Sequence, residues 1–331
     1  ASTDPLAERE PFSVAETQPG WGPDAYLMAQ IRPLKDPEAL LISPGLRFNY
    51  INITGELTQI SFDPRLSFRW AMREQTRLKG SVGLYSQPPQ PFQAFRPDDK
   101  MVELKPEKAL SGTIGFEQDF GQVIHADVEF FYKWMYDLIV GNPNFQSLDT
   151  QFFVNSGIGR AYGMEVMLRH DPVGPLFGWI SYTLSRSERK DDPDDDRYYL
   201  FDYDQTHILS AVAGYKLPFD FEISAKAQYV TGNPTTTYGL GVYDVDLDTY
   251  NAFSTSEYND RRLPAYGSVS LRLDKLFTFK TWQLDLYVDV LNVIRGKNPE
   301  FEIYNYDYTE SDYVRGLPTI PGPGFEIKAD F

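Results

Sequence analysis

Apolar and polar residues alternate one for one along most of this chain. In segment 281–290 one set is apolar and the other is mostly polar, with the members Trp282, Leu284, Leu286, Val288 and Val290 against Gln283, Asp285, Tyr287 and Asp289. The same alternation recurs in 64–73, 124–138 and 219–229, and segments with a helical period are missing. Successive side chains of a strand point to opposite faces, so the pattern predicts strands that are apolar on one face.

The end of the chain carries the same pattern. One face of this segment is apolar and the other is charged, with Phe325, Ile327, Ala329 and Phe331 on the first and Glu326, Lys328 and Asp330 on the second. A transmembrane β-barrel has such strands because its outer face meets lipid and its inner face meets water. The edge strand of a soluble β-sandwich would alternate in the same way, so this segment alone leaves both folds open.

The predicted connections alternate in length. The short ones lie near 34–38, 73–76, 120–122, 171–175, 217–219 and 278–281, and the long polar ones lie at 51–63, 87–106, 141–157, 189–203, 232–263 and 296–322. Outer-membrane barrels have tight periplasmic turns and long extracellular loops, whereas a sandwich has no reason to sort its loops by length. The chain is therefore predicted to be all-β and to form a transmembrane antiparallel β-barrel.

About thirteen strands are predicted. They lie near 25–33, 38–50, 64–73, 76–86, 107–120, 122–140, 158–171, 175–188, 204–217, 219–232, 264–278, 281–295 and 323–331. The last strand has to run down to the periplasm, which places the C-terminus there and the N-terminus of this fragment outside the cell. Single-chain bacterial barrels have an even number of strands. We therefore expect these strands to belong to a larger barrel that another chain or fragment completes.

Composition excludes several classes of function. Asp and Glu number 47 against 31 Lys and Arg, which argues against binding nucleic acid through its phosphates. The chain has no cysteine, which excludes a disulfide framework, a thiolate metal site and a cysteine nucleophile. No apolar stretch reaches the length of a transmembrane helix. Residues 1–24 are polar, have no apolar signal-peptide core, and are expected to form an irregular extracellular segment.

Several short motifs resemble the barrel of TonB-dependent outer-membrane receptors, and they follow that family's order and spacing over about 60–331. They are Pro64-Arg65-Leu66-Ser67-Phe68-Arg69-Trp70, Gly83-Leu84-Tyr85-Ser86-Gln87-Pro88-Pro89, Asn155-Ser156-Gly157-Ile158-Gly159-Arg160-Ala161-Tyr162-Gly163-Met164-Glu165, Asp202-Tyr203-Asp204-Gln205-Thr206-His207, Tyr229-Val230-Thr231-Gly232-Asn233-Pro234, Arg262-Leu263-Pro264-Ala265-Tyr266, Val288-Asp289-Val290-Leu291-Asn292-Val293 and the terminal Phe331.

The resemblance implies a 22-stranded barrel that encloses an N-terminal plug domain and takes energy from the inner-membrane protein TonB. Residues 25–331 would then be the C-terminal part of such a barrel, with the plug domain absent from this sequence. The missing plug and strands are expected from the same gene product after cleavage or from a second chain. TonB would act on this chain only through the plug.

Aromatic residues in the long loops are the candidates for ligand binding. They are Phe92, Phe95, Tyr238, Tyr243, Tyr304 and Tyr306. Aromatic rings at a barrel mouth can stack on sugars or hold a peptide. Anchoring at the membrane interface or packing of one loop on another would explain them as well. The acidic balance of the chain favours cationic or neutral ligands over anionic chelates.

Titratable residues give weaker signals. His125 is expected in the barrel lumen beside Asp127 and Glu129, either as a metal or proton site or as part of a polar wall. The acidic run 188–196 could bind calcium, but it lacks the EF-hand spacing and could simply hydrate a loop. No nucleophile elbow or phosphate loop is present. No catalytic, metal or cofactor-binding residue is therefore predicted.

Three functions remain open. The first is an uptake receptor whose barrel wall and extracellular loops this chain supplies, with outer-membrane lipid and lipopolysaccharide around it. The second is a structural or adhesive barrel that transports nothing. The third is a small outer-membrane barrel enzyme, which would need an even number of strands and would use His125 as a base.

Overall fold

The computed structural model describes residues 20–53, 57–94, 104–145, 151–239, 241–254 and 256–329. The strands, in chain order, are β1 (Gly20–Trp21), β2 (Asp24–Met28), β3 (Leu40–Ile53), β4 (Leu57–Arg73), β5 (Thr76–Gln87), β6 (Glu107–Phe120), β7 (Ile124–Gly141), β8 (Phe153–His170), β9 (Leu176–Lys190), β10 (Tyr199–Leu200), β11 (His207–Leu217), β12 (Phe221–Val230), β13 (Pro234–Thr235), β14 (Val242–Asp244), β15 (Thr249–Asn251), β16 (Arg261–Arg262), β17 (Tyr266–Thr278), β18 (Trp282–Leu291), β19 (Pro299–Tyr304), β20 (Ser311–Arg315) and β21 (Ile320–Ala329). A single helical turn lies at Pro91–Ala94, and a 3-10 turn lies at Pro218–Asp220. None of the helices in the described ranges is long and apolar enough to cross a membrane.

One large antiparallel sheet makes up most of the fold. Its strands are hydrogen-bonded in the order β1-β3-β4-β5-β6-β7-β8-β9-β11-β12-β17-β18-β21. This path has thirteen positions, as predicted from the alternation. The short strand β2 continues β1 along β3, and β10 extends the sheet beside β9. The remaining short strands form the two-stranded pairs β13–β16, β14–β15 and β19–β20.

The two faces of the large sheet differ in polarity. Leu273, Val288 and Pro323 lie side by side on one face of β17, β18 and β21, whereas Arg272 and Asp289 pair on the opposite face. Large apolar side chains along the first face, which we call the apolar face, are solvent-exposed in almost every strand. The predicted alternation is therefore confirmed, including the part of the C-terminal segment that lies within β21.

The protein has almost no interior of the ordinary kind. In the part of the chain that the structure describes, Leu104 and Met135 are the only large hydrophobic side chains that are buried. A soluble sandwich would bury the apolar faces of its two sheets against each other. Exposed apolar faces instead fit a sheet whose outer surface is covered by lipid.

The connections sort by length between the two ends of the sheet. Short turns such as 74–75 and 121–123 lie at one end, the turn end, and the long connections 191–206, 231–265 and 292–319 lie at the other, the loop end. The predicted long connection at 51–63 is wrong. Strands β3 and β4 pair through most of it, and only residues 54–56, which lie outside the described residues, separate them.

The strict alternation predicted for 124–138 is interrupted near its end. The pairing of β7 with β8 shifts between Met135 and Leu138, where Asp137 adopts a φ of 54°. A bulge of this kind places an extra residue in one strand and turns the following side chains. The interruption lies at the loop end, where lipid would no longer cover one face of the strand and an apolar face is therefore not required.

The sheet has two open edges in the described residues. There, β21 pairs with β18 alone, and β1 and β2 pair with β3 alone. They lie at the two ends of the strand series, as expected if further strands complete the barrel. Of the predicted irregular segment 1–24, residues 1–19 lie outside the described residues, and Gly20–Trp21 already pair with β3.

Candidate ligand-binding site at the loop end

Three long connections pack against one another at the loop end. Successive antiparallel hairpins return to the same end of a sheet, so these connections emerge side by side. The amide of Gly241 donates to the carbonyl of Asp307 at 3.1 Å, which joins 231–265 to 292–319. The side-chain amide of Asn259 donates to the carbonyl of Leu200 at 2.7 Å, which joins 231–265 to 191–206.

A cluster of six tyrosines lies between two of these connections. In its first row, Tyr250 packs between Tyr243 and Tyr306, with ring centroids 5.1 and 5.2 Å apart. In its second row, Tyr304 packs between Tyr238 and Tyr308, at 5.9 and 5.6 Å. The hairpins β14–β15 and β19–β20 hold both rows. We call these six residues, Tyr238, Tyr243, Tyr250, Tyr304, Tyr306 and Tyr308, the tyrosine cluster.

The structure thus brings together four of the six predicted aromatic candidates. Phe92 stands apart from them, exposed, with its ring edge-on to Phe153 at 6.1 Å. Phe95 lies outside the described residues. Tyr250 and Tyr308 were not among the candidates, although both lie in the same aromatic and acidic loops. The tyrosine rings make contacts between loops, as loop packing requires, and they also leave exposed ring surface that a ligand can reach.

A polar group fixes the second row of the cluster. Arg261 of β16 forms an ion pair with Glu302 of β19. Glu302 also accepts hydrogen bonds from the Ser311 hydroxyl at 2.7 Å and the Tyr304 hydroxyl at 3.0 Å. Burial acts to raise the pKa of Glu302, but these hydrogen bonds and the guanidinium outweigh it and hold the pKa below its ordinary value. The Glu302 carboxylate therefore stays charged and holds the hairpin β19–β20 against Arg261.

A second ion pair joins the long connections 191–206 and 231–265 to the large sheet. Arg262 forms an ion pair with the fully buried carboxylate of Asp204 and donates to the carbonyls of Asp204 and Gly232 at 2.7 and 3.0 Å. Asp204 also accepts a hydrogen bond from the amide of Ser187 in β9. Neither residue was predicted as functional. Both lie within the motifs that carry the family resemblance, which is the signal that could have identified them.

An open cavity of about 860 Å³ lies beside the loops, on the polar face of β5 to β9. Its wall includes the cations Arg189 and Lys133 and the rings of Tyr199, Phe201 and Tyr258. The Arg189 guanidinium lies 4.3 Å from the centre of the Phe201 ring. Cavities of this size can hold small molecules, and this one combines aromatic rings with several charged side chains.

Arg189 has room in this wall because Gly159 lies directly opposite it in β8. A Cβ at Gly159 would come within 2.7 Å of the Arg189 side chain. The guanidinium donates to the Ser187 hydroxyl at 3.2 Å and the Glu188 carbonyl at 2.9 Å. It forms no ion pair with a carboxylate among the described residues, so its charge is available to a ligand.

The carboxylates of the same wall are already engaged. Tyr199 donates its hydroxyl to Asp191, and Tyr258 donates to Asp202 at 2.8 Å. Burial, together with the hydrogen bond to Asp202, raises the pKa of Tyr258 to about 12. Both phenols are therefore neutral donors at physiological pH. The wall carries more cations, among them Lys108, Lys133 and Arg189, than carboxylates, which are Glu107, Asp191 and Asp202.

His125 shares one face of β7 with Asp127 and Glu129, as predicted, but its ring has other direct partners. His125 lies on the polar face, but its ring nitrogens contact Asp119 at 2.6 Å and Asp171 at 3.0 Å. The expected neighbours, Asp127 and Glu129, pair with Lys79 instead. No group of three or more His, Asp or Glu in the described ranges is arranged to hold a metal ion. The arrangement is a polar wall of ion pairs.

The acidic run 188–196 uses its polar groups internally. The Asp192 carboxylate accepts the amide of Asp194 at 2.9 Å, and Lys190 donates to the carbonyl of Asp195. Glu188 belongs to β9 and pairs with two arginines. These contacts describe a tight charged turn and do not assemble a calcium site.

Comparison with known proteins agrees with this architecture. The family described as "TonB dependent receptor-like, beta-barrel" matches residues 2–293. Similar solved structures include the FrpB iron transporter from Neisseria meningitidis (F3-3 variant), with a TM-score of 0.61 and 17% identity over 95% of this chain and 45% of that one. The ferric citrate transporter FecA in its unliganded form gives a TM-score of 0.64 and 19% identity, covering 93% and 45%.

The pyoverdine receptor FpvA from Pseudomonas aeruginosa PAO1, bound to pyoverdine, gives a TM-score of 0.65 and 16% identity over 94% of this chain and 42% of that one. The chain thus spans less than half the length of the structures it matches. A search of curated proteins gives no match. Because the family match covers most of the residues, this chain belongs to the TonB-dependent receptor-like β-barrel family.

Proposed function

We propose that this chain forms part of the barrel wall and the ligand-binding mouth of an outer-membrane receptor for active uptake. The observation that carries the proposal is the cavity walled by Arg189, Phe201 and Tyr258, which lies at the loop end of a sheet whose apolar face is suited to lipid. In this arrangement the loop end faces the outside of the cell and the C-terminus faces the periplasm. Binding and release, with no bond made or broken, is the chemistry that such a wall performs.

The open edges of the sheet support completion by further strands. An unpaired strand edge in lipid leaves backbone N–H and C=O groups without partners, at a cost of several kcal/mol for each group. The exposed edge groups of β21 and of β1 and β2 would pair with about nine strands that complete a 22-stranded barrel. In the whole receptor, a plug domain would fill the lumen and connect it to TonB.

The charges of the cavity support a ligand with an anionic group and a flat or apolar part. Arg189 and Lys133 supply positive charge, and Tyr199, Phe201 and Tyr258 supply ring surface. This proposal replaces the preference for cationic ligands expected from the overall composition, because the cations of the cavity wall outnumber its carboxylates. FecA and FpvA are named for a ferric citrate and a pyoverdine ligand. Iron chelates of this kind are the first ligands to test.

The test is uptake by cells that carry the complete receptor with its plug. Radioactive iron would be offered as ferric citrate or as ferripyoverdine, with and without a protonophore. We expect protonophore-sensitive uptake of one chelate that falls at least tenfold with Arg189→Gln and remains with Arg197→Gln, an exposed loop arginine. Deleting 242–251, which removes Tyr243 and Tyr250 but keeps Arg262 and the cavity wall, tests whether the tyrosine cluster also contacts the ligand.

Two results would contradict the proposal. In the first, mass spectrometry finds no plug segment in the assembled barrel, and cells that lack the barrel change only in surface attachment. The adhesive alternative would then be correct. If uptake proceeds unchanged in both Arg189→Gln and the 242–251 deletion, the ligand binds outside this cavity.

A further inference from the structure

A group of cations lies on the apolar face of β8 and β9, where the remaining side chains are mostly apolar. Arg160 of β8 is directly opposite Glu188 of β9, and Arg186 is directly opposite Tyr162. The alternation of each strand places all four on the same side of the sheet as Ile180, which is half exposed. These side chains therefore point toward lipid and away from the ligand cavity.

The two arginines are held together by one carboxylate. The Nε atom of Arg160 lies 2.6 Å from one oxygen of Glu188, and the Nε atom of Arg186 lies 2.5 Å from the other. The Glu188 side chain is only 5% exposed, whereas those of Arg160 and Arg186 are 37% and 52% exposed. No second carboxylate pairs with either arginine in the part of the chain that the structure describes. The group keeps a net positive charge.

Neighbouring side chains fix this group further. Tyr198 lies under the Arg160 guanidinium at 4.2 Å and under the Lys190 ammonium at 4.9 Å. Lys190 is two residues beyond Glu188 on the same face, so a third cation adjoins the pair. A rigid pair of guanidiniums beside an ammonium suits an anion with several oxygens, because guanidinium forks bind phosphate in a bidentate way.

The height of the group in the membrane follows from the strand lengths. Arg160 lies ten residues from His170, and Arg186 lies ten residues from Leu176, both at the turn end. A rise of about 3.3 Å per residue and a strand tilt of about 40° put both arginines about 25 Å above that end. The apolar band of an outer-membrane barrel is about 25 Å tall. The arginines thus lie at the headgroup level of the leaflet on the loop side.

Aromatic residues on the same face mark this level independently. The rings of Tyr132 and Tyr162 stack at 6.2 Å, and Trp134 lies directly opposite Arg160 in β7. Tyr and Trp gather at the boundary between hydrocarbon and headgroups. Arginines at the bilayer midplane would cost about 2–4 kcal/mol each, but at this boundary the cost is close to zero.

We propose that Arg160 and Arg186, with Lys190 beside them, form a binding site for the phosphate of a lipid headgroup in the leaflet on the loop side. The inference rests on the membrane placement of the sheet but not on which ligand the receptor transports. The bound lipid would be a fixed component of the barrel wall at the base of loop 191–206.

The experiment uses the complete receptor, purified and placed in phosphatidylcholine nanodiscs with or without lipid A. Native mass spectrometry counts the lipid A molecules retained on each barrel. We expect Arg160→Gln with Arg186→Gln to reduce retention at least tenfold. The matched control, Arg197→Gln with Arg315→Gln, removes two exposed loop arginines and should retain lipid A as the unchanged receptor does. Millimolar inorganic phosphate should displace little of the lipid.

A second variant separates binding from folding. Arg160→Lys with Arg186→Lys keeps both charges but loses the guanidinium forks, so retention should be intermediate while the thermal unfolding temperature stays close to that of the unchanged receptor. Full lipid A retention by the double glutamine variant, an equal loss in the control, or saturation of the site by free phosphate would each overturn the proposal. Uptake measured on the same variants tests the transport function separately.

Discussion

Arg262 forms an ion pair with Asp204, whose side chain is only 1% exposed, although the two residues are 58 positions apart. The pair joins the end of loop 231–265 to loop 191–206 and, through the amide of Ser187, to β9. The ends of both loops are thus anchored to the sheet through one buried contact. A rigid scaffold of this kind is what loops need if they are to bind a ligand specifically.

Arg262→Gln should loosen the loops. Removing one partner of a buried ion pair leaves the other charge uncompensated, which costs about 3–5 kcal/mol. Hydrogen exchange measured by mass spectrometry should speed up by roughly a hundredfold or more in 199–206, and only slightly in β17 and β18. Arg197→Gln breaks an ion pair whose partners are both 79% exposed, and it should cost at most about 1 kcal/mol. Equal exchange in the two variants would contradict the assigned role.

Leu286→Arg should impair insertion of the barrel. Leu286 lies on the apolar face beside Phe325 and only four residues from the turn-end start of β18, which puts it near the middle of the apolar band. An arginine there should cost about 2–4 kcal/mol. The matched change on the polar face, Asp289→Asn, should barely alter folding. Refolding of the complete receptor into lipid vesicles, followed by gel mobility, compares them, and equal yields would show that the faces are assigned wrongly.

Acid should release the hairpin β19–β20. The pKa of Glu302 in the folded protein lies below its ordinary value of 4.5, so its ionised form stabilises the folded state. This contribution is complete above pH 4.5 and is lost as the pH falls through the lowered pKa. Limited proteolysis between pH 5 and pH 3 should show cleavage within 299–315 increasing toward the acid end. Glu302→Gln should be cleaved more readily at pH 5 and should show a weaker pH dependence; an unchanged profile would exclude Glu302 as the cause.

The strands were predictable because lipid imposes a simple rule on them. Leu286 and Phe325 had to face outward and Asp285 inward, and the alternation records this directly. The rule ends where a strand rises above the lipid, since both faces then meet water. Asn52 and Thr58 pair across β3 and β4 in that region, with a side-chain hydrogen bond of 2.7 Å. Their polar character was interpreted as a loop, and this is why 51–63 was assigned wrongly.

The candidate site was only half predictable. Tyr238 and Tyr304 were predicted from their aromatic and acidic surroundings, but nothing local indicates that their rings meet across 66 positions of sequence. The role of Arg189 depends on Gly159 in the neighbouring strand and on the ring of Phe201. Contacts of this kind arise from the register of the sheet, which alternation alone does not fix.

Orientation can be tested directly because the chain contains no cysteine. Leu247 in loop 231–265 and Val173 in the turn after β8 are 69% and 65% exposed, at opposite ends of the sheet. In the proposed orientation, a membrane-impermeant maleimide added to intact cells should label Leu247→Cys and leave Val173→Cys unlabelled. Permeabilising the outer membrane should then expose Val173→Cys to the same degree, because the two sites differ little in exposure. The reverse pattern would place the loop end in the periplasm. The ligand cavity would then open to the periplasm, and the arginine pair of β8 and β9 would lie in the periplasmic leaflet.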